Sequence, residues 1–350
     1  MTVIDSKDLL NFCSAILEKA GVPKEQADIM ADALVEADLL GVKTHGVSRL
    51  NLYLGHIENG TINAAPEFKV LNESLSVSLV DADKAMGPVA GDYAMKKALE
   101  KAKKTGVGVT SVRNSAHMGA LSVTAKKAVQ ENMIGIVISN TSPIMAPHGG
   151  GEATLGNNPI SFAIPTDAGY PYVLDMALSI TARGNIILAA REGKEIPEGW
   201  AVNKHGEPTT NAEEALLGAV LPLAQHKGYA LAFMFDVLCG VLSGAAYGKD
   251  VGSFVPPDYS KPLNMGHFVL VLDIEKFLPY DEFIKRLKDY VEQIKTSKKA
   301  VGFTEILIPG ERSHLRYMEN SQKGITLPPT TLKMLKELGE KYGLALKISN

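Results

Sequence analysis

Cysteine is nearly absent: Cys13 and Cys239 are the only two among 350 residues. Two thiols build no disulfide framework, and both stand in apolar, helix-like runs, "LLNFCSAIL" and "MFDVLCGVL". They read as free buried cysteines in a cytoplasmic chain kept under reducing conditions. An excess of one charge is also missing. With 36 basic and 39 acidic residues the net charge is −3, so no basic field would draw nucleic acid or an anionic membrane. The start "MTVIDSKDLL" has acidic residues where a secretory signal carries a basic segment and an apolar core. One run looks membrane-like, Gly228 to Gly248, but Asp236 near its centre would be costly in lipid. A buried helix with a functional or capped acid is expected there, and no membrane span.

Familiar short motifs are missing as well. Gly106/Gly108 and Gly149/Gly151 have the first spacing of G-x-G-x-x-G, but Ser111 and Thr154 occupy the third place. There is no P-loop, no G-x-S-x-G and no H-E-x-x-H. None of the eight histidines sits at short metal-ligand spacing, so no metal is assigned, although distant residues could still build one. An ordinary Rossmann site, a P-loop, an α/β-hydrolase nucleophile and a zincin all lose support.

What is present is an ordinary globular composition, 45% apolar, at a length that suggests about two domains. Residues 5–41 read as two helices, the first capped by Ser6 and ended by Gly21, the second opened by Pro23. A third helix is expected from about Ser48 to Asn59. The middle of the chain alternates strand-like runs ("SVSLVDA", "VGVTSVRN", "IGIVISNT", "ISFAIPT", "YPYVLDMALS", "HFVLVLDI") with amphipathic helices ("AGDYAMKKALEKAKKTG", "SVTAKKAVQENM"). The fold class is therefore α/β or α+β. Residues 191–216 are polar and rich in Gly and Pro, and read as a long surface loop inserted in the sheet domain. A solvent-facing helix over 280–297 and a capped terminal helix follow.

Three clusters could carry chemistry. In "THGVSRLNLY", His45, Arg49 and Tyr53 recur every four residues, and on a helix they would form one drifting stripe. A guanidinium there can bind a carboxylate bidentately, and an imidazole one turn away can exchange a proton with the same ligand. The same residues would also suit a helix start where His45 caps and Arg49 pairs with an acid. In "NSAHMGALS", His117 follows a β-rich run among small residues, facing either a ligand or the core. "SNTSPIMAPHGGGEATLGNNPISFAIP" allows close backbone approach to a ligand, or simply a loop crossing between sheets. Lys227 in "QHKGYALA" could hold a phosphate or a ribose, or solvate a helix end.

Together these stretches resemble the type-2 malate/L-lactate dehydrogenases, which include ureidoglycolate dehydrogenase, diketogulonate reductase and sulfolactate dehydrogenase. "THGVSRL", "NSAHMGA", "ISNTSP", "GNNPISFAIP", "VLDMALS", "IPEGWAVNKHGEPTT", "HKGYALA" and "ILIPGE" occur in the family's order along most of the chain. The resemblance implies a non-Rossmann, largely antiparallel dinucleotide-binding sheet flanked by helices over 75–310. It implies a helical substrate and dimerisation domain from both chain ends, residues 1–74 plus 311–350. A homodimer with its active site near the subunit interface is implied too, as is NAD, with NADP possible, as cofactor. The acid/base histidine would be His117 or, as assigned in some members, His45. Arg49 would hold the substrate carboxylate and Tyr53 would line the same pocket. Cofactor contacts would fall on Thr141, Asp175, Met176, Ala177, His226, Lys227, Gly310, Glu311 and Arg312.

The expected reaction interconverts a small 2-hydroxy acid and its 2-oxo acid by hydride transfer, with His117 taking the hydroxyl proton and His45 orienting the oxygen. Imidazole suits that task because its ordinary pKa of ~6.5 permits both protonation states near neutrality. Ureidoglycolate is an alternative substrate. A cofactor-free lyase or hydrolase using His117, or a metabolite-binding module, is the alternative of a different class.

Overall fold

The computed structural model describes residues 2–348; Met1 and residues 349–350, at the ends of the expected helical segments, lie outside it. The first helix, α1 (Ser6–Lys19), is capped by Asp5 rather than by Ser6. The Asp5 carboxylate accepts hydrogen bonds from the backbone N–H of Lys7 (2.8 Å) and Asp8 (3.1 Å). Adjacent residues that can both cap are not separated by pattern alone. The chain leaves α1 through Gly21 and enters α2 (Lys24–Leu39) after Pro23. A 3₁₀ turn, Val47–Arg49, leads into α3 (Leu50–Glu58).

The fold is mixed α/β around a seven-stranded sheet. Its spatial order is Lys69–Glu73, Val77–Ala85, Val107–Ser115, Met265–Asp273, Met133–Ser139, Ile160–Ile164, Tyr172–Met176. Among the described residues every neighbouring pair in this sheet is antiparallel except Val77–Ala85 with Val107–Ser115. That parallel pair needs a crossover, supplied by α4 (Gly87–Thr105). The expected helix over 122–133 is a short α5 (Leu121–Ala125) that tightens into a 3₁₀ turn over Lys126–Glu131. Ala94, Ala98 and Leu121 pack with Val112, Val137 and Val269 of the sheet into one buried cluster.

The expected loop over 191–216 is instead a small packed unit. It follows α6 (Arg183–Arg191) and contains α7 (Ala212–Leu217), capped by Asn211. Strands Ala219–Val220, Ala201–Val202 and Pro208–Thr209 pair beside them. Ile186, Ile196, Ala201, Ala212, Ala215 and Val220 form its own core. Strands two residues long leave no periodicity to read.

The helix expected to be buried from Gly228 onward is α8 (His226–Asp236), continued by a π turn over Val237–Val241. Ala232, Phe235 and Cys239 do face inward, but Phe233, Met234 and Leu242 are 49%, 58% and 60% exposed. Asp236 acts as a clamp, accepting from Asn140 Nδ2 and from the Gly248 N–H, each at 2.9 Å. Among the described residues no helix is long and apolar enough to cross a membrane. Both cysteines are free and buried.

The chain closes with α9 (Tyr280–Thr296), α10 (Glu311–Lys323) and α11 (Pro329–Tyr342). Thr2–Ile4 pairs antiparallel with Ile325–Leu327, tying the two ends together. The cluster around them joins Leu9, Leu34, Tyr53 and Leu335 to Met86, Ala116, Phe254 and Met265. Helices from both ends are thereby seated against the residues that carry His117.

Candidate active site

The turn that carries His45 is folded over the end of α2. Buried Asp38 accepts a hydrogen bond from the Val47 N–H at 2.8 Å. Gly46 must be glycine here, because a Cβ would sit 2.2 Å from the Asp38 carboxylate. Burial pushes the Asp38 carboxyl up to about 7, against the opposing pull of the Val47 bond and of Lys43. The single helical stripe expected from the four-residue spacing does not form. His45 precedes the 3₁₀ turn, Arg49 ends it, and Tyr53 lies on α3.

The three side chains still converge, by different routes. Arg49 Nε donates to the Thr44 carbonyl at 2.6 Å, and the guanidinium has no acidic partner among the described residues. His45 Nδ1 lies 3.0 Å from Thr44 Oγ1. Tyr53 does not line a pocket: it is fully buried, 0% exposed, behind His117. Its Oη donates to the His117 carbonyl at 3.1 Å and lies 2.8 Å from His117 Nδ1. The Gly119 N–H also reaches Nδ1, at 3.2 Å. The His117 ring stacks on Phe254, 4.5 Å between centroids and 3° between planes, and lies 5.5 Å from the His45 ring. The start of α4 presses on the same backbone, since a Cβ on Gly87 would sit 2.3 Å from the His117 carbonyl oxygen. His117 is thus fixed by two residues packed behind it and one stacked on it.

Burial holds both imidazoles below their usual range. His45 is lowered to about 4, with Arg49 adding to the effect. His117 falls well below its ordinary value, with His45 and then Arg49 adding to burial. Both rings are neutral at pH 7, as a proton acceptor requires.

His45, Arg49 and His117 share a cavity of about 1000 Å³ with Thr141, Asp175, Met176, Ala177, Gly310 and Arg312. The Asp175 carboxylate accepts from the Ser122 N–H at 2.9 Å, and burial raises its pKa. Thr141 Oγ1 donates to Asn157 Oδ1 at 2.8 Å. Glu311, His226 and Lys227 do not reach this cavity. Glu311 faces Lys295 (2.6 Å) and the Ile308 N–H (2.9 Å). His226 and Lys227 are exposed at the start of α8, after Ala224 and Gln225 in the left-handed region. Tyr170 and His314, stacked at 4.1 Å, also border the cavity. Among the described residues no group of three His, Cys, Asp or Glu side chains could hold a metal ion.

Phe254 and Arg183, like Tyr170 and His314, are cavity residues that escaped the sequence. Phe254 is far along the chain from His117, in a stretch without helix or strand periodicity. Arg183 opens α6, lines the cavity, and donates from Nη2 to the Leu216 carbonyl at 2.8 Å. A lone charge within the otherwise uncharged "LSITARGNIIL" was its one signal.

A fixed, neutral imidazole beside a free guanidinium suits proton exchange with a small anionic substrate, and the fold has known relatives that act on such molecules. Residues 4–336 match the malate/L-lactate dehydrogenase family. The malate dehydrogenase of Pyrococcus horikoshii is 42% identical over 344 residues, covering 96% of this chain and 94% of its own. The solved structure of sulfolactate dehydrogenase from Methanocaldococcus jannaschii superposes with a TM-score of 0.91 at 37% identity, over 98% of each chain. More distant are ureidoglycolate dehydrogenase (NAD(+)) of Escherichia coli, 32% identical over 88% of each chain. Similarly distant is (2R)-3-sulfolactate dehydrogenase (NADP(+)) of Chromohalobacter salexigens, 31% identical over 95% of this chain and 97% of its own. The class is that of oxidoreductases acting on a hydroxy acid. The chain belongs to the malate/L-lactate dehydrogenase family. The lyase, hydrolase and binding-module alternatives fall away.

Proposed function

We propose that the protein interconverts a 2-hydroxy acid and its 2-oxo acid with a nicotinamide cofactor, NAD or NADP. The observation that carries this reading is the meeting of Arg49, His45 and His117 in one large cavity. Arg49, its Nε anchored on Thr44, holds the substrate carboxylate through its two terminal nitrogens. His117 Nε2, the ring nitrogen not engaged by Tyr53 or Gly119, takes the proton of the C2 hydroxyl in oxidation and returns it in reduction. His45 orients that oxygen.

The cavity fits a nicotinamide cofactor. Its volume of about 1000 Å³ is at the upper end of the ~300–1000 Å³ usual for small-ligand sites. When bound, the cofactor supplies the hydride acceptor. Thr141, Asp175, Met176, Ala177, Gly310 and Arg312 are the residues that would hold it. His226 and Lys227 would contribute only across a subunit contact. A homodimer is part of this proposal, supported by the unpartnered apolar side of α8. We also assign residues 1–74 plus 311–350 to a helical domain and 75–310 to the cofactor domain. The shared packing of the chain ends supports this, although Lys69–Glu73 already pairs with the sheet. Free buried cysteines support a cytoplasmic setting.

The test titrates the protein into NADH and NADPH while following nicotinamide fluorescence. It then assays oxaloacetate, pyruvate, sulfopyruvate and oxalurate with each reduced cofactor. Enhanced fluorescence and turnover of at least one 2-oxo acid are expected. Binding of neither cofactor would overturn the proposal.

A further inference from the structure

We infer that Arg183 binds a second anionic group on the substrate, making the enzyme selective for dianionic 2-hydroxy and 2-oxo acids; this rests on the roles proposed for Arg49 and His117. The charges bordering the cavity carry the inference. Lys126 is paired with Glu36, and the Asp175 carboxylate is occupied by the Ser122 N–H. Arg312, also on the lining and without an ion pair among the described residues, is the cation proposed for the cofactor. Arg183 has no carboxylate within ion-pair distance among the described residues. Of its five N–H donors, one is spent on the Leu216 carbonyl. Burial alone lowers its pKa, with no acidic neighbour offsetting it.

Thr44 connects this cation to the proposed substrate end. Its carbonyl accepts the Arg49 Nε, while its Cγ2 would lie 3.4 Å from a Cβ on Gly184, the residue after Arg183. The Arg49 turn and the start of α6 therefore meet at Thr44, and both arginines line the same cavity, each with part of its donor set unused. A monocarboxylate satisfies Arg49 and leaves Arg183 half-buried and unpaired. A carboxylate or sulfonate at the far end of a short substrate would satisfy both. Removing one partner of such a desolvated charge pair costs on the order of 10²-fold in binding.

The test uses two four-carbon 2-oxo acids that differ in the distal charge, oxaloacetate and 2-oxobutyrate. The expected preference of the unaltered enzyme, as kcat/KM, is on the order of 10²-fold for oxaloacetate. In Arg183→Gln that ratio should collapse toward one, chiefly through KM for oxaloacetate, and Arg183→Lys should restore part of it. Turnover of 2-oxobutyrate in the same preparation reports that the variant is folded. An unchanged ratio in Arg183→Gln would overturn the inference. So would an equal fall for both substrates with weakened NADH binding, which would assign Arg183 to a cofactor phosphate. If the unaltered enzyme turns over neither acid, the underlying reading of Arg49 and His117 fails, and this inference fails with it.

Discussion

At the scale of single residues, the chemistry depends on which nitrogen of His117 carries the proton. Tyr53 Oη has one hydrogen and two acceptors within reach, the His117 carbonyl and Nδ1. When Tyr53 donates to the carbonyl, its oxygen can accept an Nδ1 proton, leaving the Nε2 lone pair free as a base. When Tyr53 or Gly119 donates to Nδ1, the proton sits on Nε2, poised to hydrogen-bond a carbonyl oxygen. Tyr53→Phe removes the acceptor for the Nδ1 proton. Its kcat for oxidation should fall about 10-fold or more, with a smaller change in KM. An unaltered kcat would exclude Tyr53 from positioning the base. His117→Asn should abolish turnover and its substrate deuterium isotope effect, whereas His45→Asn should leave a slow reaction. The reverse order would exchange the two roles. The pH profile has a definite sign. Both pKa values are lowered, so the neutral base persists as pH falls, and kcat/KM for oxidation should hold down through pH 6. Its acid limb should lie below the ordinary histidine value of ~6.5. A midpoint at or above that value would contradict the burial of these rings.

At the scale of elements, the joint between α2 and the 3₁₀ turn sets where His45 and Arg49 stand. Asp38 makes that joint, and its carboxyl is raised to about 7 by burial. A raised acid is protonated in the folded chain while the unfolded chain ionises. Its favourable contribution is complete below about pH 4 and is lost as pH rises toward 7, amounting to on the order of 4 kcal/mol when fully lost. Asp38→Asn keeps an oxygen for the Val47 N–H and removes this titration. The melting temperature of Asp38→Asn minus that of the parent should therefore rise by several degrees from pH 5 to pH 8. A difference that does not vary with pH would rule out a protonated Asp38. This joint also marks a limit of what the sequence conveys. The four-residue spacing from His45 to Tyr53 singled out three side chains that do converge, but it implied one helical face. Asp38, Gly46 and Thr44 bend the chain there through contacts that periodicity does not register. Six of the seven strands of the large sheet were legible because their residues alternate or run apolar, whereas the mostly exposed edge strand Lys69–Glu73 was not read. Those of the small sheet were not, because each has two residues and its core is assembled from four separate segments.

At the scale of the whole molecule, the α8 segment presents the largest departure from expectation. An apolar run on every side of a helix predicts burial on every side, yet one chain covers only the side with Ala232, Phe235 and Cys239. Leu231, Phe233, Met234, Val241, Leu242 and Tyr247 are each about half exposed or more, between 49% and 60%. The sequence pattern and the single-chain fold agree if a second copy covers that side. The exposed Phe233 and Met234 lie away from the inward-facing residues of α8, so charge placed there would disturb association before folding. Phe233→Glu with Met234→Glu should convert the protein from a dimer to a monomer in analytical ultracentrifugation at micromolar concentration, with the far-ultraviolet circular dichroism retained. The charged pair should also lower cofactor affinity if His226 and Lys227 act across the contact, because they begin the same helix. A monomeric parent protein would refute the dimer directly. A dimer that survives both charges would move the interface elsewhere and leave the exposed side of α8 without a partner.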